Sequence, residues 1–208
     1  MSSRNMKAQQ MRLRLAQEAA QILLQSGSRD YYAAKQKAAV HLGAADTRNM
    51  PSNTEIESAL QEYQRIFRAD SQPAELLRLR KAALHAMQFF KDFKPRLVGS
   101  VLRGTADKHS AVSLHIVAAT VEDVDLFLMH YNIPFEIGEK RVRFQAEQVQ
   151  SLPVYRFVAD DAPIDVVIFP LDGPRQPPLS PLDSKPMQRA DIHKLEKLLQ
   201  EEQGSAAL

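Results

Sequence analysis

The chain contains no cysteine in 208 residues. That excludes disulfides, thiol nucleophiles and thiolate-bound metal, and it suits a reducing compartment. No run of about 18 apolar residues occurs, so a membrane-spanning helix is not expected. The stretch from Met1 to Arg14 is polar and basic and lacks the apolar centre of a signal peptide. A cytoplasmic protein without membrane partners is the expectation. Also missing are a P-loop, a GxGxxG turn, a GxSxG elbow and an HExxH helix. The histidines His41, His85, His130 and His193 share no ligand spacing, and His85 and His193 fall within helical patterns as surface residues.

What is present is enough for a folded core: 44% of residues are hydrophobic and 25% are charged. The length allows one ordinary domain or two small ones. The net charge of +2 hides an asymmetry. Residues 1–100 carry 16 Lys and Arg against 9 Asp and Glu, a net +7, whereas residues 101–208 carry 11 against 16, a net −5. A basic half invites a nucleic-acid reading. No basic run with interleaved aromatics supports it, so solvated helix faces are the simpler account.

The first 92 residues read as helices. Met11, Leu13, Leu15, Ala19, Ile22 and Leu23 recur at near-helical spacing as far as Gly27. Asp30 is placed to cap a second helix through Ala34 and Ala38 that closes at Gly43. Thr54 with Glu57 has capping-box spacing for a third helix. Ser71 and Pro73 open a fourth, with Leu76, Leu79, Ala83 and Met87 as its inner stripe. From Arg96 the period changes. Leu97, Val98, Val101 and Leu102 suggest a strand, and Val112, Leu114 and Ile116 alternate with Ala111, Ser113 and His115. A helix over Val121 to Tyr131 follows. Two hairpins are then expected, one turning at Gly138-Glu139 and one at Asp160-Asp161. A strap holding Pro170, Pro174, Pro177, Pro178, Pro181 and Pro186 can be neither helix nor central strand. A last helix runs from about Met187 to Glu202. The expected class is α+β: a helical region over 1–92, an α+β domain with a mixed sheet over 93–172, and a proline-rich strap with a C-terminal helix over 173–208.

Within this frame, residues 98–116 hold an apolar residue before Gly99-Ser100, a ten-residue spacer, and the strand Ala111-Val112-Ser113-Leu114-His115-Ile116. Asp165 lies downstream in Pro163-Ile164-Asp165-Val166-Val167. A charged residue in so apolar a strand is rarely there for packing, since burying it unpaired is costly.

This pattern resembles the signature of the nucleotidyltransferase fold, the DNA polymerase beta-like superfamily. The segment from Gly99 to Ser110 and the run Pro178-Leu179-Ser180-Pro181-Leu182 also resemble uncharacterised bacterial nucleotidyltransferase-like proteins, a likeness that extends over most of the chain. In the family, two acidic residues at i and i+2 on the strand bind divalent metal together with a third carboxylate. That spacing aims both side chains the same way. The resemblance implies that Gly99, Ser100 and Arg103 bind nucleotide phosphates and that Asp165 is the third, catalytic carboxylate. The other two acids are replaced by Ala111 and Ser113. Asp107 in the preceding loop and His115 on the same strand face are candidates to join Asp165 at a metal. Imidazole suits zinc, nickel or manganese better than the magnesium the family uses. For Asp165 the alternative is a hydrogen-bonded partnership with Arg156 or Arg96 across the sheet. For His115 it is a polar residue on an open sheet face, and for Asp107 loop solubility.

Three functional readings follow. The first is a catalytically impaired nucleotidyltransferase-like protein, a pseudoenzyme that keeps nucleotide or phosphate binding. The second is an active enzyme with a non-standard metal site. The third is a nucleic-acid or protein interaction module built on the basic helical half.

Overall fold

The computed structural model describes residues 3–26, 30–44, 49–67, 72–145, 148–173 and 176–205. The chain is α+β, a helical region preceding a five-stranded mixed sheet. It divides into two compact units. No helix among the described residues is long and apolar enough to cross a membrane.

The first unit comprises residues 1–72 with 181–184. It contains α1 (Ser3–Ser26), α2 (Tyr31–His41) and α3 (Asn53–Phe67). Ala16, Ala19 and Ala20 of α1 and Ala34, Ala38 and Ala39 of α2 are all buried. Such small side chains let helix backbones approach closely, while Leu15, Leu23, Ile56 and Leu60 fill the remaining core. Asp30 caps α2 as its position suggests, accepting from the Ala33 amide at 2.9 Å. The cap of α3 differs from expectation. Ser52 accepts from the Glu55 amide at 3.2 Å, and the Glu55 carboxylate accepts from the Ser52 amide at 2.7 Å. The capping box is therefore Ser52/Glu55, two residues earlier than Thr54/Glu57. Glu57 is instead buried, taking a 2.5 Å hydrogen bond from the Tyr31 hydroxyl. The cap expected at Ser71 lies outside the described residues.

The second unit comprises residues 73–180 with 185–208. In chain order it holds α4 (Gln72–Phe89), β1 (Arg96–Val98), α5 (Gly99–Arg103), β2 (Val112–Ala118) and α6 (Val121–His130). These are followed by β3 (Glu136–Arg143), β4 (Val149–Ala159), β5 (Ala162–Pro170) and α7 (Ile192–Ser205). The strand order is β1-β2-β5-β4-β3, with β2 and β5 parallel and every other pair antiparallel. Leu97, Leu114, Ile116, Ile164 and Val166 present one face to a core shared with Leu79, Met87 and Phe90, with Val124 and Leu128 of α6, and with Leu195 of α7. Each such side chain, fully withdrawn from water, contributes about 1.5–3 kcal/mol before entropy is counted. Because the inner stripe of α4 belongs to this core, the unit boundary falls between Gln72 and Pro73 and not after residue 92.

Two strand expectations change. Val101 and Leu102 are in α5, not in a strand: Gly99, with φ at +79°, turns the chain out of β1 straight into a helical turn. The hairpin expected at Gly138-Glu139 does not form. Those residues lie inside β3, paired with Val154 and Pro153 of β4. The second hairpin does form. Asp160 and Asp161 both adopt left-handed backbone, at φ 50° and 56°, as a two-residue turn requires. In the strap Leu179 bridges Pro186 and its amide donates to the Arg143 carbonyl at 2.6 Å. Pro174 lies outside the described residues. The last helix begins at Ile192, not near Met187, because Ala190 is held in an antiparallel bridge to Leu97 at the edge of β1.

Candidate functional site

The strand register decides what Gly99-Ser100 faces. Val98 pairs with Ser113, Ser113 with Asp165, Asp165 with Arg156, and Arg156 with Glu136. Directly paired residues point to the same side of a sheet. One cross-strand row therefore carries Val98, Ser113, Asp165, Arg156 and Glu136 on the face opposite the main core. Gly99 leaves β1 at the end of this row. A Cβ built on it would stand 3.5 Å from both Cβ and Oγ of Ser113, so the turn rests on that residue. Ala111 precedes Ser113 by two positions, just before β2, and is half-buried. The Gly-Ser turn, Ser113 and Asp165 are thus neighbours.

Asp165 is half-buried and forms an ion pair with Arg156 at 3.9 Å, longer than the expected hydrogen bond. Arg96 is not its partner and pairs with Asp191 at 2.9 Å. Gly138 makes room for Arg156, since a Cβ there would lie 2.5 Å from its guanidinium.

Ser100 is buried in the first turn of α5, and its carbonyl accepts from the Gly104 and Thr105 amides. Arg103 is half-buried in the last turn of the same helix. Behind them stands Arg80 of α4, a residue that no motif in the sequence singles out. It is 6% exposed. It donates to the carbonyls of Val101 at 3.1 Å and Leu102 at 3.4 Å and pairs with Glu202 of α7. Three elements are pinned there by one guanidinium, which fixes the turn from its protein side. A buried arginine one position off an apolar stripe is the only sequence signal it leaves.

The two auxiliary metal candidates do not join Asp165. Asp107 is buried within its own loop, where its carboxylate accepts from the His109 amide at 3.0 Å and the Ser110 hydroxyl at 3.1 Å. His115 is on the expected strand face but is not on open surface. It is 5% exposed and its ring packs on Phe169, with centroids 4.7 Å apart. Its Nδ1 is buried and has no hydrogen-bond partner among the described residues. Burial, followed by the positive charges of Lys140 and Arg189, pushes the ring from the usual 6.5 down to about 3. Burial under Phe169 and the positive charges of Lys140 and Arg189 disfavour a metal ion there. Among the described residues no group of three or more His, Asp or Glu is placed to hold one. The donor set of alanine, a neutral serine hydroxyl and an ion-paired aspartate does not fit the two-metal cage of nucleotidyl transfer.

The rest of this sheet face mixes Arg96, His115 and Lys140 with apolar residues. Val142, Phe144, Leu152, Val154, Val167 and Phe169 form a second cluster alongside the polar row. Lys140 on β3 has its amine crowded by protein atoms, which lowers its affinity for a proton, while Asp165 partly offsets this. No model of a known protein family matches the chain, and no curated protein matches it.

Proposed function

We propose that this chain is a nucleotidyltransferase-like protein that no longer carries out two-metal chemistry and retains a site for nucleotide phosphates at Gly99-Ser100. The observation that carries the reading is the register of β1, β2 and β5. It brings the Gly-Ser turn, Ser113 and Asp165 into contact or direct pairing, although 66 residues of chain separate Gly99 from Asp165. In this reading Gly99 lets a phosphate approach the backbone, Ser100 and Arg103 contact it, and Asp165 is the last acid of the former cage. Ala111 and Ser113 occupy the positions of the lost acids. Without them, no group among the described residues is placed to hold divalent ions against a triphosphate, and in this reading binding is uncoupled from transfer.

Titration calorimetry with the four nucleoside triphosphates, with magnesium and with chelator, tests this. The expected result is binding that does not depend on magnesium and is weakened by Arg103→Ala, with no nucleotidyl transfer to protein or nucleic acid. A tight complex that forms only with magnesium and disappears in Asp165→Ala would instead establish an active enzyme. Steeply salt-dependent binding to RNA or DNA without nucleotide binding would favour the interaction module.

A further inference from the structure

The cross-strand row extends beyond β1. The antiparallel bridge between Leu97 and Ala190, with amide–carbonyl hydrogen bonds of 2.8 and 2.9 Å in both directions, sets Arg189 beside Val98 and Asp191 beside Arg96. The Arg96–Asp191 ion pair agrees with that register. Arg189 therefore stands at one end of the Ser113–Asp165 row and Arg156 at the other. Lys140 is two positions from Gly138 on β3, also on this face, and its charge is felt by both Asp165 and His115.

The charges in this patch do not balance. Arg96 is matched by Asp191 and Arg156 by Asp165. Lys140 and Arg189 have no carboxylate within ion-pair distance among the described residues, yet both remain accessible to solvent. Glu136 is the one other acid of the row, at its far end. Between the two unmatched cations sits His115, with a buried Nδ1 that nothing in the described chain satisfies. A buried polar atom without a partner is costly, and unmatched cations on both sides of it leave a place for a negative charge. Ser113, with a neutral hydroxyl where the family has an acid, removes the repulsion that would keep an anion away.

We infer that Lys140 and Arg189 take over the charge-neutralising task of the absent metal ions, so that the Ser113–Asp165 row binds a polyphosphate directly, without a divalent cation. The inference rests on the phosphate-binding reading above and specifies its chemistry. The ligand class is a compact multiply charged phosphate, either the tail of a nucleoside triphosphate or a free polyphosphate. Arg189 approaches it from the β1 end of the sheet and Lys140 supplies positive charge from the β3 end, while Arg156 is paired with Asp165. Arg189 reaches the site from the segment after the proline-rich strap, which gives that segment a function in binding.

The test uses the full chain and inorganic tripolyphosphate in the presence of EDTA, followed by calorimetry and by the imidazole nitrogen signals of His115. The expected result is saturable metal-free binding that moves the His115 signals. Arg189→Gln and Lys140→Gln should each weaken it about tenfold, the size expected for one charge-assisted contact. Lys91→Gln, on an exposed turn outside the row, should leave it unchanged. The inference is overturned if tripolyphosphate does not bind in EDTA, or if Lys91→Gln costs as much as the two site variants. It is equally overturned if neither site variant matters. Parallel titration with nucleoside triphosphate separates the two claims. Equal affinity for tripolyphosphate and nucleotide keeps this inference and sinks the nucleotide reading. Nucleotide binding in EDTA that Arg103→Ala weakens, with no tripolyphosphate binding and no effect of Arg189→Gln or Lys140→Gln, does the reverse.

Discussion

Replacing His115 with leucine should change how stability depends on pH, and the size of the change follows from where the ring sits. The folded ring is 5% exposed, packs on Phe169 and stays neutral down to about pH 3. In the unfolded chain it takes a proton near the usual 6.5. Between those values the unfolded state binds more protons than the folded state, so folding is progressively disfavoured as pH falls. Above 6.5 the ring is neutral in both states and contributes no pH dependence. At pH 5 the linkage amounts to about 2 kcal/mol, from 1.36 kcal/mol for each pH unit below the unfolded value. Leucine has a similar volume and no proton to gain. At pH 7.5 His115→Leu should match the wild type or exceed it by about 1 kcal/mol, because the unsatisfied Nδ1 is removed. At pH 5 the variant should be ahead by about 2 kcal/mol more. Urea denaturation of both proteins at the two pH values, followed by a probe in the sheet-containing unit, measures the difference directly, and carboxylate titrations cancel in the comparison. A stability gap that is the same at pH 7.5 and pH 5 would refute the buried neutral imidazole.

Other perturbations test the scaffold around the site. Arg80→Ala removes the donors to the Val101 and Leu102 carbonyls and leaves Glu202 without its partner. It should lower stability by about 3 kcal/mol and weaken phosphate binding by loosening the Gly-Ser turn, read by denaturation and calorimetry together. Ser52→Ala removes one half of the α3 capping box and should cost about 1 kcal/mol, whereas Thr54→Ala should cost far less; equal effects would return the cap to Thr54. Tyr155→Phe deletes the hydroxyl that donates to Asp125 of α6 and should cost about 1 kcal/mol in thermal denaturation.

Features of the fold that depend on neighbouring residues could be read from sequence, and those that depend on distant contacts could not. The alternation in β2, the Asp30 cap of α2 and the Asp160-Asp161 turn each follow from a few adjacent residues. The end of β1 is different. Val101 and Leu102 are apolar enough for a strand, and only the left-handed Gly99 and the carbonyls held by Arg80 turn them into a helix. Gly138-Glu139 has turn chemistry, but eight consecutive pairings with β4 keep β3 extended through it, and the glycine serves Arg156 instead. The site shows the same division. The spacing of Gly99, Ser113 and Asp165 anticipates their proximity. The burial of His115, the retention of Asp107 by its own loop and the arrival of Arg189 beside β1 depend on tertiary contacts that no local pattern records.

The central claim is that Ala111 and Ser113 stand where metal-binding acids would complete a cage with Asp165. Manganese binding, followed by electron paramagnetic resonance on the wild type and on Ala111→Asp with Ser113→Asp, tests it most directly. The expected result is no specific manganese site in the wild type, a site in the double variant, and its loss when Asp165→Asn is added. A wild-type manganese site that depends on Asp165, or a folded double variant that gains none, would contradict it.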